Sequence, residues 1–306
     1  MPSAFSMLKQ SIAFYRSNLA IVLAVASVPF ILSVLSMFFD QKTTPGLFAT
    51  ITLVSALSSF LAYVAMLHVV AQNGRLQGGV VGAYGAALAS ILPFVLVMLL
   101  TFFTVWGGIV LFIIPGIYLS VLLCMSGMIF VAENKRGMSA LVQSWHYVRG
   151  YWLAVVGKMF FLMLVMMAVM IGLTILAFII GFFYGISGLI DVKAYATEIA
   201  LVGGVINNAL NNFVFFPINL IYLFFIYQSL RGIKTEVLLP EEEKKIRNKI
   251  IIFVVLGILG AVAFGGIIWA AVTSTSPNIE RAQMSASSFL STTGLSSVSD
   301  FFLSNK

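Results

Sequence analysis

The chain has 306 residues, 61% of them hydrophobic and 9% charged, with a mean hydropathy of +1.08. Soluble domains run about 45–50% apolar and about 25% charged, so a soluble enzyme, a disordered tail and a nucleic-acid binder are all excluded. At about 20 apolar residues per crossing there is room for six or seven transmembrane helices and little else, and the formal charge of +7 has meaning only once it is placed along them.

Residues 3–18 are too polar to span, yet Phe5, Leu8, Ile12 and Tyr15 fall on one helical face with Lys9, Gln10 and Arg16 elsewhere. That pattern predicts a helix lying in the membrane interface. The first span is Leu19–Phe39, closed by Asp40-Gln41-Lys42; it is too long for a signal-peptide core and is read as a retained crossing. The second is Leu47–Ala71, followed by Gln72-Asn73-Gly74-Arg75. Leu92–Ala132 is too long for one crossing, so it holds the third and fourth spans with a turn at Pro115-Gly116 or at Gly107-Gly108. The fifth span is Trp152–Ile180, the sixth Ala200–Gln228, and the seventh Lys249–Val272 after the charged linker Arg231–Lys249. A Ser/Thr-rich tail, Thr273–Lys306, ends the chain.

With the N-terminus inside, thirteen basic residues fall on the cytoplasmic side and only Lys42, Lys193, Arg281 and Lys306 outside. That split follows the positive-inside rule. It predicts a multi-pass protein of the cytoplasmic membrane with the C-terminus outside, and the inner charge attracts anionic lipid.

The leading amphipathic register returns at Met138, Leu141, Trp145 and Val148, each 133 positions later, and Ser6, Gln10, Ser11 and Arg16 match Ser139, Gln143, Ser144 and Arg149. A weaker copy, Val81, Tyr84, Leu88 and Ile91, has Gly and Ala in place of charges, which suits packing on protein. The span pairs also end alike, in Ala71–Arg75, Ala132–Arg136 and Gln228–Arg231. Together these predict an all-α polytopic fold. Three units of an in-plane helix and two spans, about 1–75, 76–136 and 137–234, form a six-helix bundle; a linker (235–248), a seventh helix (249–272) and the tail (273–306) follow.

The stretch from Pro115-Gly116-Ile117-Tyr118 through Glu133, Ser144-Trp145 and Arg149-Gly150, with Tyr227–Arg231 closing the domain, resembles a prokaryotic membrane-domain family. That family includes the membrane domain attached to some glycerophosphoryl diester phosphodiesterases. The resemblance covers about residues 3–234 and implies a six-helix membrane fold with no settled activity. The chain lacks the soluble phosphodiesterase domain, so hydrolysis does not transfer, and the seventh span departs from the family pattern.

Chemistry-bearing residues are few. Gly185-Ile186-Ser187-Gly188 matches the G-x-S-G of intramembrane serine proteases. Both histidines, His68 and His146, are read at the opposite membrane face, so no base reaches Ser187. Cys124 is alone, no metal-ligand cluster is present, and no cofactor is expected. Arg16, Arg75, Arg136, Arg149, Lys158 and Arg231 are candidates for lipid headgroups; Lys158 either snorkels or shares an anionic-lipid site with Arg149. Asn208, Asn212 and Asn219 line one face of the sixth span as interhelical glue or as a polar path. Gly257, Ala261 and Gly265 allow close helix packing against the bundle or a membrane partner. The leading reading is a non-enzymatic module that binds membrane phospholipids or assembles with membrane partners; the rival is a transporter or lipid-moving protein.

Overall fold

The computed structural model describes residues 1–39, 44–186, 196–235 and 238–292, with side chains described for 1–39, 44–183, 199–235 and 238–273. All regular structure in these ranges is helical, and seven helical segments are long and apolar enough to cross a membrane. The protein is an all-α polytopic membrane protein.

Ser3 caps α1 (Ala4–Ser17), its hydroxyl accepting from the Ser6 amide at 3.2 Å. Asn18 breaks the chain into α2 (Leu19–Ser36), and α3 (Pro45–Ala71) opens with proline in its first turn. α3 ends in a Schellman motif: Asn73 is left-handed at φ 52°, and the Gly74 amide donates to the Val69 carbonyl at 2.8 Å. Gly74 itself stands at φ 74°, a conformation that favours glycine, and a Cβ there would also displace the Asn18 side chain, whose Oδ1 would lie 1.7 Å away.

The second unit departs from the expected plan. No break separates residues 81–91 from the third span; both belong to the 33-residue α4 (Gly79–Leu111). Its early turns bury Ala83 and Ala87 and leave Val81 and Leu88 exposed, so the small residues pack on protein, and of the apolar register Tyr84 turns inward while Val81 and Leu88 face outward. The turn into α5 (Ile113–Leu123) falls at neither Pro115-Gly116 nor Gly107-Gly108 but at extended Phe112. Gly108 and Gly116 line the α4–α5 seam instead, where a Cβ on Gly108 would approach Gly116 Cα to 2.9 Å, while Gly107 faces Phe253 and Gly257. Pro115, in the first turn of α5, needs no amide partner. α6 (Ser126–Glu133) completes this crossing and ends on left-handed Asn134, as α3 ends at Asn73.

α7 (Met138–Val148) is no lipid-surface helix. Ala140, Leu141, Val142, Ser144, Trp145, Tyr147 and Val148 are all buried, because α7 folds back on α5 and α6 and Ser144 donates to the Leu122 carbonyl at 2.7 Å. α1 is covered less completely: it buries Met7, Leu8 and Ser11 but leaves Phe5 58% exposed. The third unit continues through α8 (Trp152–Ile186), α9 (Ala196–Leu210), a π-helical stretch (Asn211–Phe215) and α10 (Phe216–Ile233). α11 (Pro240–Thr292) then runs unbroken for 53 residues, taking in most of the predicted linker and the first part of the tail.

The leading helices pack in a cycle. α1 lies against α10 and α8, the start of α4 against α2 and α3, and α7 against α5 and α6. Each therefore rests on spans that lie outside the segment expected to form its own unit. Each also closes a backbone carbonyl there with a hydroxyl: Tyr15 to Phe213 at 2.7 Å, Tyr84 to Val25 at 2.7 Å, and Ser144 to Leu122. Two of these carbonyls need outside donors, because Pro29 and Pro217 stand four residues after Val25 and Phe213 and have no N–H to give. Phe14 against Phe225 and Phe30 against Phe213 extend the same contacts.

Candidate functional site: a polar node and a methionine-lined cleft

Glu133, at the end of α6, holds three elements together. Its Oε1 accepts from Tyr147 Oη at 2.9 Å and from Tyr227 Oη at 2.8 Å, with the two phenol rings edge to face. Arg231 Nε stands 3.9 Å from Oε1, and Lys135 Nζ 3.8 Å from Oε2 while donating to Gln143 at 2.6 Å. Burial pushes the Tyr147 phenol up to about 12, and its hydrogen bond to the Glu133 carboxylate adds to the shift. Lys234 donates to the His146 and Arg149 carbonyls, tying the end of α10 to α7. A polar cavity of about 310 Å³ opens beside this node, between Glu133, Gln143, Lys234 and Glu243.

The basic residues do not gather into one site. Arg16, Arg75, Arg136 and Arg149 are exposed, and of the six cations only Arg231 stands within ion-pair distance of a carboxylate among the described residues. Lys158 neither snorkels to the surface nor meets Arg149 in any described contact. It is 9% exposed and donates from Nζ to the Pro2 carbonyl at 2.6 Å, fastening the start of α1 to α8. Tyr222 braces the same junction, donating to the Lys158 carbonyl at 3.2 Å.

The asparagines divide. Asn208 donates to Ser33 of α2, and Asn212 donates back to the Asn208 carbonyl at 3.0 Å and its Oδ1 at 2.5 Å. Asn211 is bonded likewise to Asn207. Asn219 lies beyond the π-helical stretch, exposed, at the meeting point of two cavities. The smaller, about 460 Å³, is walled by Tyr63, Asn211, Asn212, Phe216 and Asn219. The larger, about 600 Å³, lies between α8, α10 and Val121 of α5, and five methionines of α8 (159, 163, 166, 167 and 170) line it. α8 leans away from the bundle: no residue from Met163 to Phe183 is buried. The methionine wall was not singled out from sequence, although five methionines within twelve residues of one span were there to find it.

Gly257 of α11 packs backbone to backbone on Gly107 of α4, Gly260 rests on Val110, and Gly265 has nothing within 4 Å of a Cβ position. The close face is thus Gly257 and Gly260, and α4 and α11 run in the same direction. His68 Nε2 lies 3.1 Å from Ser90 Oγ, a Ser–His contact that invites a catalytic reading. Ser90 already donates to the Ala86 carbonyl at 2.8 Å, which leaves its oxygen as acceptor from His68 rather than as an activated nucleophile. No group of three His, Cys, Asp or Glu side chains stands ready for a metal among the described residues. The Gly185–Gly188 motif extends into residues outside the described ones. Comparison with protein-family models, with curated proteins and with solved structures gives no match, so the functional reading rests on these residues.

Proposed function

We propose that this is a non-enzymatic integral membrane module that holds lipid between α8 and a latched helical bundle. The observation that carries the reading is the methionine-walled cleft of about 600 Å³ beside a span that leaves the bundle. Unbranched thioether side chains adapt to flexible apolar chains, and a cleft of this size in a membrane helix bundle fills with lipid or with another helix. Exposed Phe5 and Ile12 on α1, with Lys9 and Arg16 beside them, suit contact with phospholipid at the interface. The basic-residue split supports a cytoplasmic N-terminus and an extracytoplasmic C-terminus in the cell membrane, and the shared direction of α4 and α11, the third and seventh crossings, agrees with that alternation. The cyclic packing of α1, α4 and α7 supports three related units. Membership of the membrane-domain family named above is part of the same proposal, supported by the joining of Glu133, Tyr227 and Arg231 in one node. Beyond Ala261, α11 is exposed on all described faces and offers a surface to a membrane partner.

The rival conduit along the sixth span draws less support. Asn208 and Asn212 are engaged with Ser33 and with each other, as interhelical glue is.

Filling the cleft tests the reading. Met163→Trp with Met167→Trp in the full-length protein should lower copurified lipid per protein several-fold while leaving the thermal transition in place, since both side chains are already exposed. Unchanged lipid content in a folded double variant would overturn it.

A further inference from the structure

Asn219 stands apart from the other asparagines of its span. Its carboxamide makes no hydrogen bond among the described residues, and the hydroxyl of Tyr63, across the smaller cavity, makes none either. A polar group left unpaired within a membrane-spanning segment is costly, so both groups are accounted for best by something that enters the cavity. The π-helical stretch contributes a second, independent feature: its wider turn brings Asn211, Asn212 and Phe215 into the same wall, and such insertions recur at functional sites.

The walls also say what the occupant is not. Neither cavity is lined by Lys, Arg, Asp or Glu. A phosphate there would be a charge buried without a partner, which is strongly disfavoured. Carboxamides and a phenol instead match neutral ester carbonyls and hydroxyls, each group able to donate and accept. Asn219 and Leu223 belong to both cavities, so a ligand that bonds to Asn219 can lay an apolar chain along Met159–Met170.

We infer that the two cavities form one site for a neutral glycerolipid of the diacylglycerol class, with its ester and hydroxyl oxygens at Asn219 and Tyr63 and one acyl chain in the methionine cleft. This rests on the lipid-holding reading above and names its ligand.

The test uses the full-length protein in detergent, titrated with a fluorescent diacylglycerol and with a phosphatidylglycerol bearing the same chains. Diacylglycerol should bind saturably and more tightly. Asn219→Leu and Tyr63→Phe should each weaken it about threefold to tenfold, the loss expected for one neutral hydrogen bond. Neither should alter the thermal transition or the phosphatidylglycerol response, because neither side chain is bonded within the protein. Equal or tighter phosphatidylglycerol binding, or diacylglycerol binding indifferent to both substitutions, would overturn the inference. If Met163→Trp with Met167→Trp still removed copurified lipid, only the ligand assignment would fall; if it removed none, the lipid-holding reading would fall with it.

Discussion

Gly257→Ala should loosen α11 from the bundle, whereas Gly265→Ala, eight residues on, should be silent. A Cβ at Gly257 would come 2.0 Å from the Phe103 carbonyl oxygen, and one at Gly107 would come 1.9 Å from that of Phe253. Backbone cannot rotate aside as a side chain can, so the helices must separate and lose the packing that holds membrane helices together. Overpacking of this kind costs about 1–3 kcal/mol, with the higher end expected where backbone opposes backbone. At Gly260 the obstacle is a Val110 methyl at 2.5 Å, which can yield, and at Gly265 nothing lies within 4 Å. Thermal unfolding of the three purified alanine variants should rank Gly257 above Gly260 above Gly265 in damage. Equal effects at all three would mean that α11 does not sit on α4 as described.

Glu133→Ala should be the other severe substitution. It leaves two phenols without their acceptor, on Tyr147 and Tyr227, which are 5% and 1% exposed. An unsatisfied buried donor costs about 1–3 kcal/mol, so the pair together should lower stability by about 2–5 kcal/mol. The ion pairs contribute less, since Arg231 is more than half exposed and stands 3.9 Å away. Glu133→Gln, which keeps an acceptor, should lose less. Removing the hydroxyls as well, in a triple Glu133→Leu, Tyr147→Phe, Tyr227→Phe protein, should restore much of the loss, because matched apolar replacement of both partners is nearly neutral. Thermal stability of the single and triple variants in one detergent checks this. A triple variant as unstable as Glu133→Ala would refute a hydrogen-bonding role for the node.

The crossings were legible because hydrocarbon demands long apolar runs, and Leu19, Ala71 and Trp152 bound helices where the runs predict. What the runs could not show is what happens where two helices touch. Phe112 takes the turn because Gly108 and Gly116 are needed at the α4–α5 seam, a choice set by packing rather than by local propensity. Gly257 was readable as a packing glycine, but Gly265 was not separable from it; α4 ends at Leu111, so α11 has outrun its partner by that position. The spacing of Met138, Leu141, Trp145 and Val148 marks a helix, yet an amphipathic pattern does not distinguish lipid from protein as the apolar neighbour, and in α7 the neighbour is protein. Pro217 leaves the Phe213 carbonyl without a helical donor, and the hydroxyl that replaces it, on Tyr15, lies 198 positions away, where only the fold could bring it. Likewise Asn208, Asn212 and Asn219 shared a face on paper, and the π-helical stretch between them sends the first two to Ser33 and each other and the third to the cleft.

The central claim, that lipid occupies the space between α8 and the bundle, is tested most directly by a photocrosslinking amino acid at Met167, in the cleft wall, and in parallel at Val262 on the outer face of α11. Irradiated in native membranes, Met167 should yield adducts of a narrow set of lipids, enriched over the bulk, while Val262 should report bulk composition. Bulk lipid at both positions, or crosslinks from Met167 chiefly to another polypeptide, would contradict the account.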